Sequence, residues 1–110
     1  MNTKHEMDIF KIISHAGNAR GMCFEALTAA EAFDFVTAEQ LMNDSKEEMR
    51  LAHGTQTKLI TAELNGEPAE QTLLLVHAQD HLMTAMSEQK LIEHMISIVK
   101  KLAPQASREG

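Results

Sequence analysis

The chain has 110 residues, a hydrophobic content of 44% and a formal net charge of −6, from 10 basic and 16 acidic side chains. This length fits a single domain, residues 1–110, and leaves no room for separate catalytic and binding domains. The acidic balance and the lack of a basic stripe argue against a nucleic acid partner. The single cysteine excludes an intrachain disulfide.

Two features of the sequence bear on its location in the cell. The first eight residues carry acidic side chains and lack the apolar core of a signal peptide. The longest unbroken apolar run covers only residues 73–76, far short of the roughly 20 residues that a transmembrane helix needs. The sequence therefore predicts a cytoplasmic protein that does not insert into the membrane.

The apolar composition favours helices. Aromatic residues make up only 4% of the chain, and eight Met accompany Leu, Ile and Ala, a mixture that suits helix packing better than sheets. Helix one is predicted over about residues 5–32, because apolar residues recur there at steps of three and four. Gly17 and Gly21 lie one turn apart in this helix, and we interpret both as sites of close helix packing.

Two more helices complete the predicted fold. Helix two is predicted over about residues 35–65, with Asp34 as its N-cap and Gly66 just beyond its C-terminus. Helix three is predicted over about residues 69–102, and the polar tail, residues 103–110, is predicted to be frayed. The predicted fold class is all-α, with three long antiparallel helices in a coiled-coil-like bundle.

Helix three carries apolar residues on two faces, which is more than packing within one thin three-helix hairpin requires. Its second face forms a narrow seam of nine residues: Leu73, Val76, Asp80, Met83, Thr84, Ser87, Leu91, His94 and Ile98. We predict that copies of the chain pack along this seam as a homo-oligomer. Several copies of Asp80 would then converge, and a divalent cation such as Mg²⁺ or Ca²⁺ would relieve their repulsion.

Helix three also carries three polar residues, His77, Asp80 and His81, inside an apolar run, where polar groups need partners or a chemical role. On a helix Asp80 and His81 flank His77, whereas Gln79 points away from it. The simplest interpretation is a structural, hydrogen-bonded histidine. A second is a zinc site, because the i, i+4 spacing lets two imidazoles reach one ion, although Ala78 replaces the Glu of the metalloprotease motif.

Two further interpretations assign chemistry to His77 itself. Acid–base catalysis with Asp80 is one, but no nucleophilic Ser or Cys is marked nearby. In the other, the neutral imidazole of His77 is a nucleophile that carries a phosphoryl group, a reaction that needs positioning and charge stabilisation more than elaborate acid–base machinery. Spacing alone leaves all four interpretations open.

Three blocks of the sequence match a known family in order and spacing. They are HAQDHLM at residues 77–83, AHGTQTKLI at residues 52–60 and, more weakly, GNAR at residues 17–20 with EAL at residues 25–27. Together they resemble the enzyme IIA component of the lactose/cellobiose class of the bacterial sugar phosphotransferase system, over nearly the whole chain.

The resemblance implies a homotrimer of three-helix subunits, a nine-helix bundle, in which His77 accepts a phosphoryl group from the histidine-containing phosphocarrier protein HPr. It implies that His77 then passes the group to a cysteine of enzyme IIB. The sugar, a β-disaccharide of the lactose, cellobiose or chitobiose type, is phosphorylated later, during uptake. The resemblance also implies a structural divalent cation, expected to be Mg²⁺, held by Asp80 at the trimer axis, which agrees with the seam.

His81 and Gln56 are the residues expected to hydrogen-bond the phosphoryl oxygens, and His53 is a further candidate. For Gln56 and His53, interhelical hydrogen bonding without a role in transfer fits the sequence equally well. A regulatory module, in which phosphorylation changes protein contacts instead of feeding transport, also stays open.

Overall fold

The structure, a computed structural model, describes residues 3–108. It is an elongated bundle of 56 × 21 × 17 Å. Its helices are α1 (Thr3–Glu31), α2 (Phe35–Leu64), α3 (Leu73–Leu102) and the short α4 (Gln105–Arg108). No strand occurs among residues 3–108, so the all-α prediction is confirmed. No helix in that range is long and apolar enough to cross a membrane.

The helix directions follow from the side-chain pairs that join them. Lys58 of α2 meets Asp8 near the start of α1, whereas Ser45 meets Cys23 near its end, so α1 and α2 are antiparallel. Gly17 of α1 lies near His81 of α3, and Arg20, later in α1, meets Glu88, later in α3. Helices α1 and α3 therefore run in the same direction. The prediction of an up-down-up hairpin is therefore confirmed.

Local backbone chemistry fixes both ends of α2. Asp34 caps the N-terminus by accepting a hydrogen bond from the Thr37 backbone N–H at 3.2 Å, as predicted. At the other end Gly66 adopts a left-handed conformation with φ of +82°, and the N–H of Glu67 donates to the carbonyl of Ala62 at 2.8 Å. This pattern is a Schellman motif, in which glycine avoids the strain that a side chain would cause.

The end of α1 uses the same motif without a glycine. Phe33 adopts the left-handed conformation with φ of +62°, and the Asp34 N–H donates to the carbonyl of Ala29 at 2.9 Å. A left-handed conformation costs a residue with a side chain about 1–2 kcal/mol. Phe33 also contacts Phe35 across the turn, with ring centroids 6.2 Å apart. The packing of α1 against α2 therefore holds this turn in a conformation that its own sequence does not favour.

One predicted helix boundary is wrong. Helix α3 begins at Leu73 and not near residue 69, because the Thr72 hydroxyl caps it by accepting from the Leu75 backbone N–H at 3.1 Å. In the tail, α4 forms a turn of helix, and Arg108 Nη1 donates to the carbonyl of Lys101 at 3.2 Å. Residues 109 and 110 lie outside the described residues.

The core lies between α1, α2 and one face of α3. Small residues let α1 and α2 approach closely: Ala16, Ala19, Ala26, Ala30, Ala38 and Ala52 are all completely buried. The inner face of α3 contributes the buried residues Leu75, Ala78, Leu82, Ala85 and Ile92. All nine residues of the seam are exposed on the opposite face of α3 in this single chain.

Candidate functional site

His77 lies in the second turn of α3 and is exposed to solvent. The His81 ring, one helical turn further on, lies parallel to it, with a ring-centroid distance of 5.9 Å and an interplanar angle of 6°. His81 is only partly exposed. The helix thus presents one accessible imidazole beside a second one that is held more firmly by its surroundings.

Arg20 of α1 connects this histidine pair to the rest of the bundle. Its Nε donates to Glu88 Oε2 at 2.8 Å, its Nη1 lies 3.1 Å from His81 Nδ1, and its Nη2 donates to Thr84 Oγ1. All three partners belong to α3. The guanidinium group therefore joins α1 to three successive turns of the helix that carries His77.

The surroundings of His81 favour its neutral form. Burial lowers the pKa of His81, and electrostatic repulsion from Arg20 and from the neighbouring His77 lowers it further, while Glu88 acts in the opposite direction. A neutral imidazole has one nitrogen that donates and one that accepts. His81 is therefore suited to donate one hydrogen bond to a group placed beside His77.

The two glycines of α1 have different surroundings. A Cβ atom built on Gly17 would lie 3.4 Å from His81 Nε2, whereas one built on Gly21 would meet nothing within 4 Å. The close-packing interpretation thus fits Gly17 and is wrong for Gly21. The contact at Gly17 is with a histidine of the candidate site and not with the apolar core.

The other two predicted supporting residues lie on α2. Gln56 Nε2 donates to Gln79 Oε1, and Gln79 is the residue of α3 that points away from His77. His53 is exposed, and its backbone carbonyl accepts from Thr57 Oγ1 at 3.0 Å. Within one chain, the described residues place His81 beside His77 and direct Gln56 to a different partner.

Asp80 is exposed in the seam, and its backbone carbonyl accepts from Thr84 Oγ1 at 2.9 Å. Among residues 3–108 of one chain, no three His, Cys, Asp or Glu side chains come together as a metal site. The histidine pair of the zinc interpretation therefore has no third ligand of these types among the same residues. The carboxylate of Asp80 suits a hard cation such as Mg²⁺, but only if further copies of the chain supply the other ligands.

Sequence reasoning assigned no role to Arg20 or Glu88, and it placed Thr84 only in the seam. Arg20 belongs to a block that resembles the family, but its partners lie more than 60 positions further along the chain. The apolar periodicity within α1 does not indicate which residues of α3 Arg20 contacts. The ion pair with Glu88 depends on the relative register of the two helices, which the folded structure supplies.

Comparison with known proteins identifies the family. The model of the family described as "PTS system, Lactose/Cellobiose specific IIA subunit" matches residues 7–100. The chain belongs to this family. It is therefore an enzyme IIA component of the lactose/cellobiose class of the phosphotransferase system, as the sequence blocks predicted.

Similar proteins and solved structures support this membership. The lichenan-specific phosphotransferase enzyme IIA component of Bacillus subtilis is 44% identical over 105 residues, which is 96% of either chain. The crystal structure of the cellobiose-specific enzyme IIA of Bacillus anthracis superposes with a TM-score of 0.88 at 41% identity, over 93% of this chain and 94% of that one. The chitobiose IIA of Escherichia coli, solved in complex with HPr, gives a TM-score of 0.78 at 37% identity, covering 89% and 95%.

Proposed function

We propose that this enzyme IIA is a phosphoryl carrier in which His77 accepts the phosphoryl group from phospho-HPr and donates it to a cysteine of enzyme IIB. The observation that carries the proposal is the exposed His77 imidazole beside the partly buried His81, in a chain of this family. The related chitobiose IIA of Escherichia coli forms a complex with HPr, which supports HPr as the donor.

The two transfers conserve bonds and electron pairs. In the first, the lone pair of a neutral His77 ring nitrogen attacks phosphorus, an N–P bond forms, and the N–P bond of phospho-HPr breaks, returning its electron pair to the HPr imidazole. In the second, a cysteine thiolate of enzyme IIB attacks phosphorus, an S–P bond forms, and the electron pair of the His77–P bond returns to His77. His81, as a neutral donor, stabilises the phosphoryl oxygens in both steps.

Labelling tests the first transfer. Incubation with enzyme I, HPr and phosphoenolpyruvate should add one acid-labile phosphate per chain, and the His77→Ala variant should remain unlabelled. His94→Ala is the matched control, because His94 is an exposed histidine further along α3, and it should be labelled normally. Labelling of the His77→Ala variant would refute the proposal.

The second transfer needs a separate assay. Phosphorylated chain, freed from HPr, should lose its label to purified enzyme IIB, and an IIB variant with its acceptor cysteine replaced by serine should receive none. Retention of the label by the chain in the presence of intact IIB would instead favour the regulatory alternative.

Gln56 and His53 are proposed to support the transfer. If so, Gln56→Ala should slow phosphorylation while the oligomeric state stays unchanged. An unchanged transfer rate would assign the bond between Gln56 and Gln79 to interhelical packing alone.

We also propose a homotrimer, a nine-helix bundle with Asp80 of each chain at the axis around one structural divalent cation, expected to be Mg²⁺. The exposed apolar seam on α3 supports this assembly, because such residues seldom line a solvated face without a partner. Sedimentation should give three times the 12.2 kDa mass of one chain.

The role of Asp80 is tested by substitution and metal analysis. Asp80→Asn should lower the metal content and weaken the trimer, whereas Asp44→Asn, at an exposed position of α2, should change neither. Unchanged metal content and mass in Asp80→Asn would show that the assignment is wrong.

The transported sugar is proposed to be a β-disaccharide of the cellobiose, chitobiose or lactose type. The names of the related enzymes, which are specific for lichenan, cellobiose or lactose, support this class. With the cognate membrane subunit, phosphorylation of cellobiose but not of maltose, an α-linked control, is the expected result. Preferential phosphorylation of maltose would overturn it.

A further inference from the structure

Arg20 of α1 contacts His81 through its side chain, and the phosphoryl transfer as written above gives it no role. We propose that Arg20 is a positioning residue, which fixes His81 with its proton on Nε2 so that this N–H faces the phosphoryl group on His77. The proposal rests on the proposed function of His77. It concerns the orientation and tautomer of His81.

The first step of the argument is the direction of the hydrogen bond. A guanidinium group has five N–H donors and no acceptor, and it stays charged at all ordinary pH values. Its contact with His81 Nδ1, at 3.1 Å, therefore requires that Nδ1 accept. In the neutral ring the proton is then on Nε2. A partner that only donates thus selects one of the two tautomers.

The second step is that Arg20 itself is held in place. Its Nε bonds Glu88 and its Nη2 bonds Thr84, so three bonds to α3 fix the plane of the guanidinium group. Arg50 provides a contrast, since its bonds to Glu47, three residues away on α2, lie on an open surface. Side-chain exposure is 28% for Arg20 and 68% for Arg50. Arg20 is the better anchored of the two.

The third step is that the Nε2 edge of His81 is kept free. Gly17 faces this edge, and a methyl group there would lie 3.4 Å from Nε2. With hydrogen in its place, the N–H can meet an acceptor oxygen. Arg20 therefore occupies Nδ1 of the ring, while Gly17 leaves room for an acceptor atom at Nε2.

The tautomer is the direct test. In the full-length wild-type protein, long-range ¹H–¹⁵N correlation spectra should show His81 protonated on Nε2 and unprotonated on Nδ1. Arg20→Met removes every donor but keeps a long side chain, and it should give a mixture of tautomers. Arg50→Met should leave the His81 signals unchanged. An Nδ1–H tautomer in the wild type, or an unaltered pattern in Arg20→Met, would overturn the proposal.

Transfer kinetics test the consequence. Arg20→Met should lower kcat for phosphorylation about 10- to 100-fold, while the KM for phospho-HPr changes by less than about twofold, because the lost contact orients a transition-state donor. Arg20→Lys keeps a positively charged donor but lacks the planar guanidinium group, and its transfer rate should lie between those of Arg20→Met and the wild type. A raised KM with unchanged kcat, or no recovery with Lys, would contradict a positioning role.

A pair of alanine substitutions tests the open edge without removing Arg20. Gly17→Ala should slow the transfer, whereas Gly21→Ala, one turn away in open space, should not. Both changes favour the helix, so neither is expected to unfold the chain. Equal rates in the two variants would refute the role of the Nε2 edge. The spectra are recorded on unphosphorylated protein, so a wrong tautomer would refute only the role of Arg20. Labelling of His77→Ala would refute the proposed function instead.

Discussion

The two faces of α3 differ in what they contact, although both are rich in apolar residues. On the inner face Leu82 is fully buried, whereas its chain neighbour Met83, in the seam, is 58% exposed. Leu91 and Ile92 form a second such pair, at 56% and 3% exposure. The inner face is packed within one chain, whereas the seam is exposed to solvent there. The difference shows that sequence hydrophobicity alone does not identify which face forms the core.

The largest expected effect comes from the inner face. Leu82→Ala should lower the free energy of unfolding by about 2–5 kcal/mol, because it removes a completely buried side chain and leaves a cavity. The loss should be the same at every protein concentration in urea denaturation. Met83→Ala should act differently: its effect should grow with protein concentration, because an exposed seam residue stabilises only through association. Equal, concentration-independent losses in both variants would remove the distinction between the faces.

A second substitution tests a polar contact on the packed side. The fully buried Ser45 hydroxyl donates to the Ala19 carbonyl at 2.7 Å and accepts from Gln89 Nε2 at 2.9 Å, so it joins α1, α2 and α3. Ser45→Ala should cost about 1–3 kcal/mol, since it leaves buried polar groups without a partner. Ser97→Ala, at an exposed position of α3, should cost almost nothing in the same denaturation experiment. A negligible cost for Ser45→Ala would mean that water replaces the hydroxyl.

A charged residue introduced into the seam tests whether this face of α3 is an interface between copies of the chain. Leu91→Lys should leave the stability of the isolated chain within about 0.5 kcal/mol of the wild type, because the Leu91 side chain is 56% exposed within one chain. The same change should reduce the sedimentation mass to the 12.2 kDa of one chain, since a buried lysine disrupts an apolar contact. Gln40→Lys adds the same charge to the exposed face of α2 and should leave the mass unchanged. An undisturbed assembly in Leu91→Lys would place the contact elsewhere.

The parts of the fold that were predicted correctly depend on local chemistry. Asp34 and Gly66 mark the ends of α2 through hydrogen bonds to their immediate neighbours, so the sequence is sufficient to locate them. The start of α3 was missed because Thr72, and not the region after Pro68, supplies the capping oxygen. The bond between Arg20 and His81 could not be predicted, because it depends on the register of α1 against α3. The role of His77 was predicted from its sequence block alone, and it stays a prediction.

The reactivity of the buried thiol of Cys23 gives the smallest expected effect, and it measures how often the core becomes accessible to solvent. Burial raises the pKa of this thiol, against the smaller opposing effect of hydrogen bonding with Ser45 and Gln89, so less reactive thiolate is present at a given pH. In native protein at pH 8, alkylation by iodoacetamide should be at least about 100-fold slower than in urea-unfolded protein, because it requires both deprotonation and local opening. Leu91→Lys should leave this rate unchanged, and Leu82→Ala should raise it. A rate that rises when only the seam is altered would show that association, and not the packing of α1 and α2 against the inner face of α3, keeps the core closed.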